Sequence, residues 1–298
     1  MTPSYASVFR PGLFEGHRIW VTGGGSGIGR CTAHELAALG AQVIISGRKA
    51  DKLERVCAEI IEDGGRCTWR AFDIRDEDAV KAQVADELLA GPIDGLVNNA
   101  GGQFPAPLAM TSKRGFEAVV ANNLTGGFLM MRELITQCMN RRGGSIVNMT
   151  ADFRNGMPGM GHSGAARAGM ANLTMTAAFE WACFGVRVNA VAPGWIATSG
   201  TDTYGQSMRE RILTLKDQLP LKRMGLEAEV SAAIVFLLSP AAAFVTGITM
   251  QIDGGASLGN RSFPLPPHQR SVPFSGFHRA AVPDVLKGVM PEPPLPSG

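Results

Sequence analysis

The sequence is poor in the features that mark disulfide-linked, metal-binding, membrane-spanning or nucleic-acid-binding proteins. Its five cysteines are scattered, form no Cys-x-x-Cys pair and have no histidine at metal-ligand spacing, so we expect reduced thiols and no metal site. The net charge of +2 gives no reason to expect nucleic acid or an anionic membrane as a partner. No apolar run approaches the roughly 18 residues of a membrane span. Residues 1–12 lack a signal-peptide core, so we expect a cytoplasmic protein.

Glycine, in contrast, is abundant, and one glycine-rich stretch dominates the sequence. Residues 21–30 read VTGGGSGIGR and lie between a short apolar run at 19–21 and a helical pattern at 31–39. Glycines permit a tight strand-to-helix turn and let the backbone approach a pyrophosphate, which a helix N-terminus then binds. The spacing G-x-x-x-G-x-G differs from the commoner G-x-G-x-x-G, and an ordinary glycine-rich loop remains the alternative reading.

Strand and helix patterns alternate after this loop. Predicted strands cover residues 19–21, 42–46, 67–72, 93–97, 145–149, 186–191 and 248–252. Predicted helices cover residues 31–39, 51–61, 77–89, 116–140, 162–184 and 228–238. This alternation predicts a single α/β domain at 13–258 with a doubly wound parallel sheet, whose ligands bind beyond the carboxyl ends of the strands.

The last forty residues have a different composition. Residues 259–298 hold nine of the eighteen prolines, a density that excludes continuous helix or a central strand. This segment is either a disordered extension or an arm over a neighbouring subunit. Phe263, Phe274 and Phe277 would give such an arm apolar contacts.

Five motifs in the order and spacing of a known family extend over residues 10–258. They are Thr22-Gly23-x-x-x-Gly27-x-Gly29, Asn98-Asn99-Ala100-Gly101, Asn123-Leu124-Thr125-Gly126, Pro193-Gly194-x-Ile196-x-Thr198 and Asp253-Gly254-Gly255. Together they resemble the short-chain dehydrogenase/reductase superfamily, which implies a Rossmann fold and a nicotinamide cofactor. Residues 98–104, 162–169 and 180–183 are most similar to the peroxisomal trans-2-enoyl-CoA reductase branch. Bacterial citronellol and citronellal dehydrogenase-like proteins are a related group.

The resemblance implies which residues bind the cofactor. The glycine loop with Ile28 would hold the pyrophosphate, Asp73 and Ile74 the adenine, and Thr198 the nicotinamide amide. The full predicted set is Gly23, Ser26, Gly27, Ile28, Gly29, Arg48, Asp73, Ile74, Asn99, Ala100, Gly101, Arg167, Pro193, Gly194, Ile196 and Thr198. Asn98 would brace the sheet.

The choice between the two nicotinamide cofactors is predicted from charge. An NAD-dependent enzyme places a carboxylate at the end of the second strand, where it binds the ribose 2′-OH. Here Gly47 stands at that position, followed by Arg48 and Lys49. A guanidinium can bind a 2′-phosphate in bidentate fashion, so we expect NADP(H). The alternative is that this pair is only solvated.

The catalytic set departs from the family pattern of Asn, Ser, Tyr and Lys. Matching positions hold Asn123, Thr150, Ser163 and Arg167, and the two tyrosines, Tyr5 and Tyr204, lie off that helix. A serine hydroxyl is a far weaker acid than tyrosine, and arginine does not deprotonate in proteins. The residues that relay a proton in an alcohol dehydrogenase of this family are therefore replaced here, although the Arg167 guanidinium could still bind the nicotinamide ribose.

Reduction of a double bond conjugated to a thioester does not require a residue that removes a hydroxyl proton. Hydride goes to the β-carbon, and hydrogen bonds must stabilise the resulting enolate oxygen. Thr150, Ser163 and Arg167 would suffice, so we rank enoyl reduction first. Tyr204, then His162 and Asp152, are candidate proton donors, although each could have only a structural role.

The sequence leaves two other functions open and predicts an oligomeric state. A terpenoid alcohol or aldehyde dehydrogenase is implied by resemblance, and a catalytically silent nucleotide-binding protein fits the altered set. The helices near 116–140 and 162–184 carry apolar residues on more than one face, which predicts a homo-oligomer, with a homotetramer expected.

Overall fold

A seven-stranded parallel sheet lies at the centre of the chain, as the alternating pattern predicts. The computed structural model describes residues 4–203, 205–258 and 265–290. The strands are β1 (Arg18–Thr22), β2 (Gln42–Gly47), β3 (Arg66–Ala71), β4 (Gly95–Asn98), β5 (Gly144–Met149), β6 (Val186–Pro193) and, after a separate pair, β9 (Thr249–Ile252). Their order is β3-β2-β1-β4-β5-β6-β9, which is a doubly wound Rossmann-type sheet.

Helices cover both faces of this sheet. They are α1 (Gly27–Ala38), α2 (Ala50–Glu62), α3 (Glu77–Leu89), α4 (Lys113–Val120), α5 (Gly126–Leu134), α6 (Asn140–Arg142), α7 (Gly161–Trp181), α8 (Gln206–Leu215) and α9 (Glu227–Leu238). One apolar core joins the sheet to α1, α2 and α9, and a second joins it to α3, α5 and α7. Burial of both faces explains why β1 is buried at every position and why its centre, residues 19–21, is continuously apolar rather than alternating.

Three features were not predicted from the sequence. Two π-helical turns, Ala121–Thr125 and Ile135–Met139, join α4, α5 and α6 into one stretch. A parallel pair of two-residue strands, β7 (Ile196–Ala197) and β8 (Gly225–Leu226), brackets α8. These strands are too short to give a hydrophobic period, so only tertiary contacts define them.

The described part of the C-terminal segment packs on its own chain. An arm over another subunit stays a prediction for this segment. Phe277 is buried against Tyr5, with ring centroids 5.7 Å apart, and lies under the Arg30 guanidinium. Leu286 is buried beside Ile212 and other apolar residues that follow β7. Residues 265–290 therefore cover α1 and α8. Among the described residues, no helix combines the length and apolar character that crossing a bilayer requires.

Candidate active site

The glycine loop joins β1 to α1 at the carboxyl edge of the sheet. Gly23 and Gly27 have φ angles of +68° and +57°, which side-chain-bearing residues rarely adopt. A Cβ on Gly29 would lie 2.4 Å from the Gly23 carbonyl oxygen, so α1 can start this close to the strand only with glycine. Ser26 precedes the helix without capping it through its side chain, which leaves its hydroxyl and the first N–H groups for an anion.

Two asparagines after β4 hold the loop and the sheet together. Asn99 Nδ2 donates to the carbonyl oxygens of Thr22 and Gly23 at 3.0 and 3.3 Å. Asn98 Nδ2 donates to the Gly127 carbonyl and to Asn148 Oδ1, both at 3.0 Å. The sheet-bracing contacts expected of Asn98 are thus present.

A cavity of about 190 Å³ lies between this loop and the ends of β2 and β3. Arg48, Lys49 and Lys52 all line it. Asp73 is the one carboxylate among its described lining residues, and bonds from Arg75 hold the pKa of Asp73 below its usual range. The cavity therefore offers three cations to an anion. Lys52 was missed at the sequence level, where only the two residues after Gly47 were considered.

The remaining predicted cofactor residues lie at the same edge. Ile74 and Ala100 line the cavity with Gly101. Gly194 packs tightly against Asp253, since a Cβ at residue 194 would lie 2.8 Å from the Asp253 backbone. Thr198 lies beside the glycine loop, with its Cβ 3.9 Å from where a Cβ on Gly27 would be. Pro193 ends β6 and Ile196 begins β7, so both flank the loop that carries Thr198.

Arg167 is a buried cation at the centre of the site. Its Nη1 donates to the Met149 carbonyl at 2.6 Å, Nε has no partner, and no carboxylate among the described residues pairs with it. Burial lowers the pKa of Arg167 to about 10. A Cβ on Gly101 would lie 2.5 Å from Arg167 Nη2 and 2.7 Å from Asn123 Oδ1, so these groups converge. Asn123 itself exchanges two 2.9 Å hydrogen bonds with the Gly102 backbone.

The two hydroxyls of the altered catalytic set already have partners. Thr150 Oγ1 donates to the Val191 carbonyl at 2.9 Å. The hydrogen bond from Thr150 to a substrate oxygen stays a prediction, and it requires this hydroxyl to turn from Val191. Ser163 Oγ donates to Gln103 Oε1 at 2.5 Å. Gln103 is exposed and sixty residues away in the chain, and sequence reasoning did not single it out.

The candidate proton donors differ in their surroundings. Tyr204 lies outside the described residues. His162 is buried, its ring lies 4.5 Å from that of Phe104, and its Nδ1 accepts from the Ser163 N–H, while Nε2 has no partner. Asp152 Oδ1 is also without a partner, and burial, aided by Asp253, raises the pKa of Asp152. A raised pKa favours the protonated form of the Asp152 carboxyl, which is the form that can donate a proton.

Glu227 is a further titratable group beside the glycine loop. Its Oε1 lies 3.9 Å from the Cβ position of Gly27, and burial raises the pKa of Glu227 to about 7. The residue also lines a cavity of about 450 Å³ beneath the C-terminal segment. Residues of the C-terminal segment, including Phe277, line the same cavity, and sequence reasoning did not single out Glu227.

The fold and this set of residues define a short-chain dehydrogenase/reductase, and the chain belongs to that superfamily. The family model described as enoyl-(acyl carrier protein) reductase matches residues 23–257. A solved structure described as citronellol catabolism dehydrogenase (AtuB) of Pseudomonas aeruginosa PAO1 is 62% identical with a TM-score of 0.78, covering 85% of this chain and all of the other.

Curated relatives have diverse described activities. A probable 2,4-dienoyl-CoA reductase of Bacillus subtilis is 34% identical over 84% of this chain and 100% of its own length. A glucose 1-dehydrogenase of Gluconobacter oxydans is 38% identical over 82% of this chain and 93% of its own. The superfamily assignment makes this chain an oxidoreductase that uses a nicotinamide cofactor, and it leaves the substrate open.

Proposed function

We propose that this protein uses NADP(H) to reduce a carbon–carbon double bond conjugated to a carbonyl group, with an enoyl thioester as the expected substrate. The observation that carries this proposal is Arg167, a buried guanidinium with no carboxylate partner among the described residues. A buried cation of this kind is suited to negative charge that develops on a substrate oxygen.

The residues around the glycine loop fit NADP(H). Glycine is required where the Cβ of residue 29 would collide with the loop, and three cations line the cavity at the ends of β2 and β3. Arg48 and Lys52 would bind the 2′-phosphate, and Thr198 would bind the nicotinamide amide. The bound cofactor would supply the hydride that adds to the substrate β-carbon.

The chain's own residues would then stabilise charge and supply a proton. Arg167 would donate hydrogen bonds to the enolate oxygen or to the nicotinamide ribose, and Ser163 would turn from Gln103 to the same substrate oxygen. Asp152, whose pKa is raised, would deliver a proton to the α-carbon directly or through water. One hydride and one proton thus complete the reduction. Tyr204 stays a candidate donor.

A second function is favoured by one finding. The 62% identity to a structure described as a citronellol catabolism dehydrogenase favours a terpenoid alcohol or aldehyde as substrate. That reaction requires a group that removes the hydroxyl proton, and neither Ser163 nor Arg167 is a suitable base. A silent nucleotide-binding protein would bind the cofactor without turnover.

One set of assays separates these three functions. NADPH oxidation is measured with trans-2-enoyl-CoA esters, and NAD⁺ or NADP⁺ reduction is measured with citronellol. We expect enoyl reduction that falls at least tenfold in Arg167→Met and is unchanged in Thr176→Ala, an exposed control on the same helix. Citronellol oxidation without enoyl reduction would contradict the proposal, and cofactor binding with no turnover would support the silent protein.

Cofactor preference is tested with a matched pair of variants. Arg48→Ala should raise the KM for NADPH roughly ten- to hundredfold, because a charge-assisted phosphate bond contributes about 1.5–3 kcal/mol. The KM for NADH should change little. Lys113→Ala, an exposed cation on α4, serves as the control. Equal wild-type KM values for NADPH and NADH would refute the preference.

A further inference from the structure

Three potential metal ligands meet where the C-terminal segment packs on α1 and α2. They come from distant parts of the chain: His34 from α1, Asp63 from the end of α2, and His278 from the C-terminal segment. Their ligand atoms lie within 4.8 Å of one another. Sequence spacing could not reveal this group, because 29 residues separate the first two and 215 the last two.

The distances suit a small divalent cation. His34 Nδ1 and His278 Nε2 lie 3.1 and 3.0 Å from the same carboxylate oxygen, Asp63 Oδ2. Ligands about 2.0–2.1 Å from a tetrahedral zinc ion are separated by roughly 3.3 Å. The three atoms could therefore move apart slightly to occupy three corners of such a site, with water at the fourth.

The ring nitrogens of the two histidines are only partly used in hydrogen bonds. A neutral imidazole carries one N–H, and His34 faces two carboxylates, with Nε2 lying 3.3 Å from Glu59 Oε2. If Nε2 donates to Glu59, the Nδ1 lone pair is turned toward Asp63 Oδ2. Neither ring nitrogen of His278 forms a hydrogen bond, although its side chain is only 5% exposed. His34 Nδ1 and His278 Nε2 thus both lie close to the same oxygen, Asp63 Oδ2.

A carboxylate behind one of the ligands fits metal binding. His34 Nε2 lies 3.3 Å from Glu59 Oε2. A Glu59–His34–metal arrangement would match the common pattern in which a carboxylate orients a ligating imidazole.

Two arginines lie nearby and must be accommodated. Arg279 Nη2 donates to Asp63 Oδ1 at 2.6 Å, and Arg279 Nε contacts both carboxylate oxygens. Arg30 pairs with Glu59 at 2.7 Å. Glu62 adds a third carboxylate beside Arg279. The formal charges of the two arginines and the three carboxylates sum to −1. Arg279 can keep its bond to Oδ1 while Oδ2 turns to the metal.

We propose that His34, Asp63 and His278 form a zinc-type metal site that fastens the C-terminal segment to α1 and α2. Its ligand set of two imidazoles and one carboxylate favours Zn²⁺ or a similar transition ion over Mg²⁺ or Ca²⁺. Because α1 begins at the glycine loop, the ion would tie residues 265–290 to the helix that receives the cofactor phosphates.

The test uses the full-length protein after chelation and desalting. Zn²⁺ binding is measured by competition with a chromophoric chelator, and Co²⁺ is added as a spectroscopic probe of tetrahedral geometry. We expect one equivalent of Zn²⁺ at micromolar affinity or tighter, visible Co²⁺ bands, and slower amide exchange across residues 265–290. None of these readouts depends on the reaction or its substrate.

Variants distinguish this site from others. His278→Gln and His34→Gln should each weaken binding at least tenfold and remove the Co²⁺ bands. His17→Gln and Cys183→Ser remove an exposed histidine and an exposed thiol, and should change nothing. Circular dichroism confirms that each variant is folded, and two ligand variants keep the test decisive if one unfolds. No binding at 100 µM Zn²⁺, or equal affinity in both ligand variants and wild type, would overturn the proposal.

Discussion

Replacing Glu227 with glutamine should change how the stability of the protein depends on pH. The folded state raises the pKa of this carboxyl from 4.5 to about 7, chiefly through burial. The folded protein therefore holds a proton that the unfolded chain has released between these two values. Stability from this group is fully present below pH 4.5 and is lost as the pH rises through 7.

The expected size follows from the two pKa values. A rise from 4.5 to about 7 corresponds to roughly 3.4 kcal/mol when titration is complete. Part of this 3.4 kcal/mol is already lost at pH 5, because Glu227 is ionised in most unfolded chains at that pH but still protonated in the folded protein. Between pH 5 and pH 8 the folded wild type should lose about 2.5 kcal/mol through Glu227, and glutamine should lose none.

Urea unfolding of wild type and Glu227→Gln at pH 5 and pH 8 measures this effect. The difference in unfolding free energy between the two proteins should shift by about 2.5 kcal/mol in favour of the variant at pH 8. Other titrating groups are common to both proteins and cancel. Glu210→Gln, at an exposed site on α8, is the matched control. A difference that stays constant between the two pH values would refute the reasoning.

Three further predictions concern stability, catalysis and assembly. Arg18→Met should lower the unfolding free energy by about 1.5–3 kcal/mol, because it removes the 2.6 Å ion pair to buried Glu87 and leaves that carboxylate with its 2.8 Å pair to Arg70; urea unfolding showing a loss below about 1 kcal/mol would contradict this. Ser163→Tyr with Arg167→Lys should lower enoyl reduction at least tenfold, about 1.4 kcal/mol, without creating alcohol oxidation; substantial citronellol oxidation by the double variant, with no enoyl reduction in wild type, would overturn our view of the site. The protein should sediment as a homo-oligomer, expected to be a tetramer, and Phe179→Ser, at a side chain 88% exposed, should weaken assembly; a wild-type monomer at micromolar concentration would exclude this.

The sheet could be predicted because its signals are local. Apolar runs such as 19–21 and 145–149 are bounded by glycine or polar residues, and each corresponds to an observed strand. Helix α8 is different. It is polar on average and follows a stretch with no clear period, so its position depends on apolar contacts to the C-terminal segment, including Leu286.

The candidate site was predictable where a motif fixes the backbone and less so where distant side chains meet. The glycine loop and Asn99 have the expected neighbours because the strand–turn–helix geometry follows from the residues themselves. The bond from Ser163 to Gln103 joins a helix to a loop sixty residues earlier. Burial raises the pKa of Glu227, and this residue shares a cavity with residues of the C-terminal segment that are distant in the chain.

The direction of hydrogen bonds around the altered catalytic set bears on the choice between the two enzymatic functions. Alcohol oxidation needs an acceptor that removes a proton, yet Thr150 and Ser163 are hydroxyls of high intrinsic pKa, and Arg167 holds its protons. Enoyl reduction needs donors instead. Arg167 has an unpartnered Nε and no carboxylate nearby among the described residues, so its burial is costly until an oxygen or a ribose hydroxyl accepts from it. A ribose hydroxyl would be available in both reactions, but only conjugate reduction develops negative charge on a substrate oxygen that this cation can stabilise. That difference, together with the lack of a base among Thr150, Ser163 and Arg167, favours conjugate reduction over alcohol oxidation.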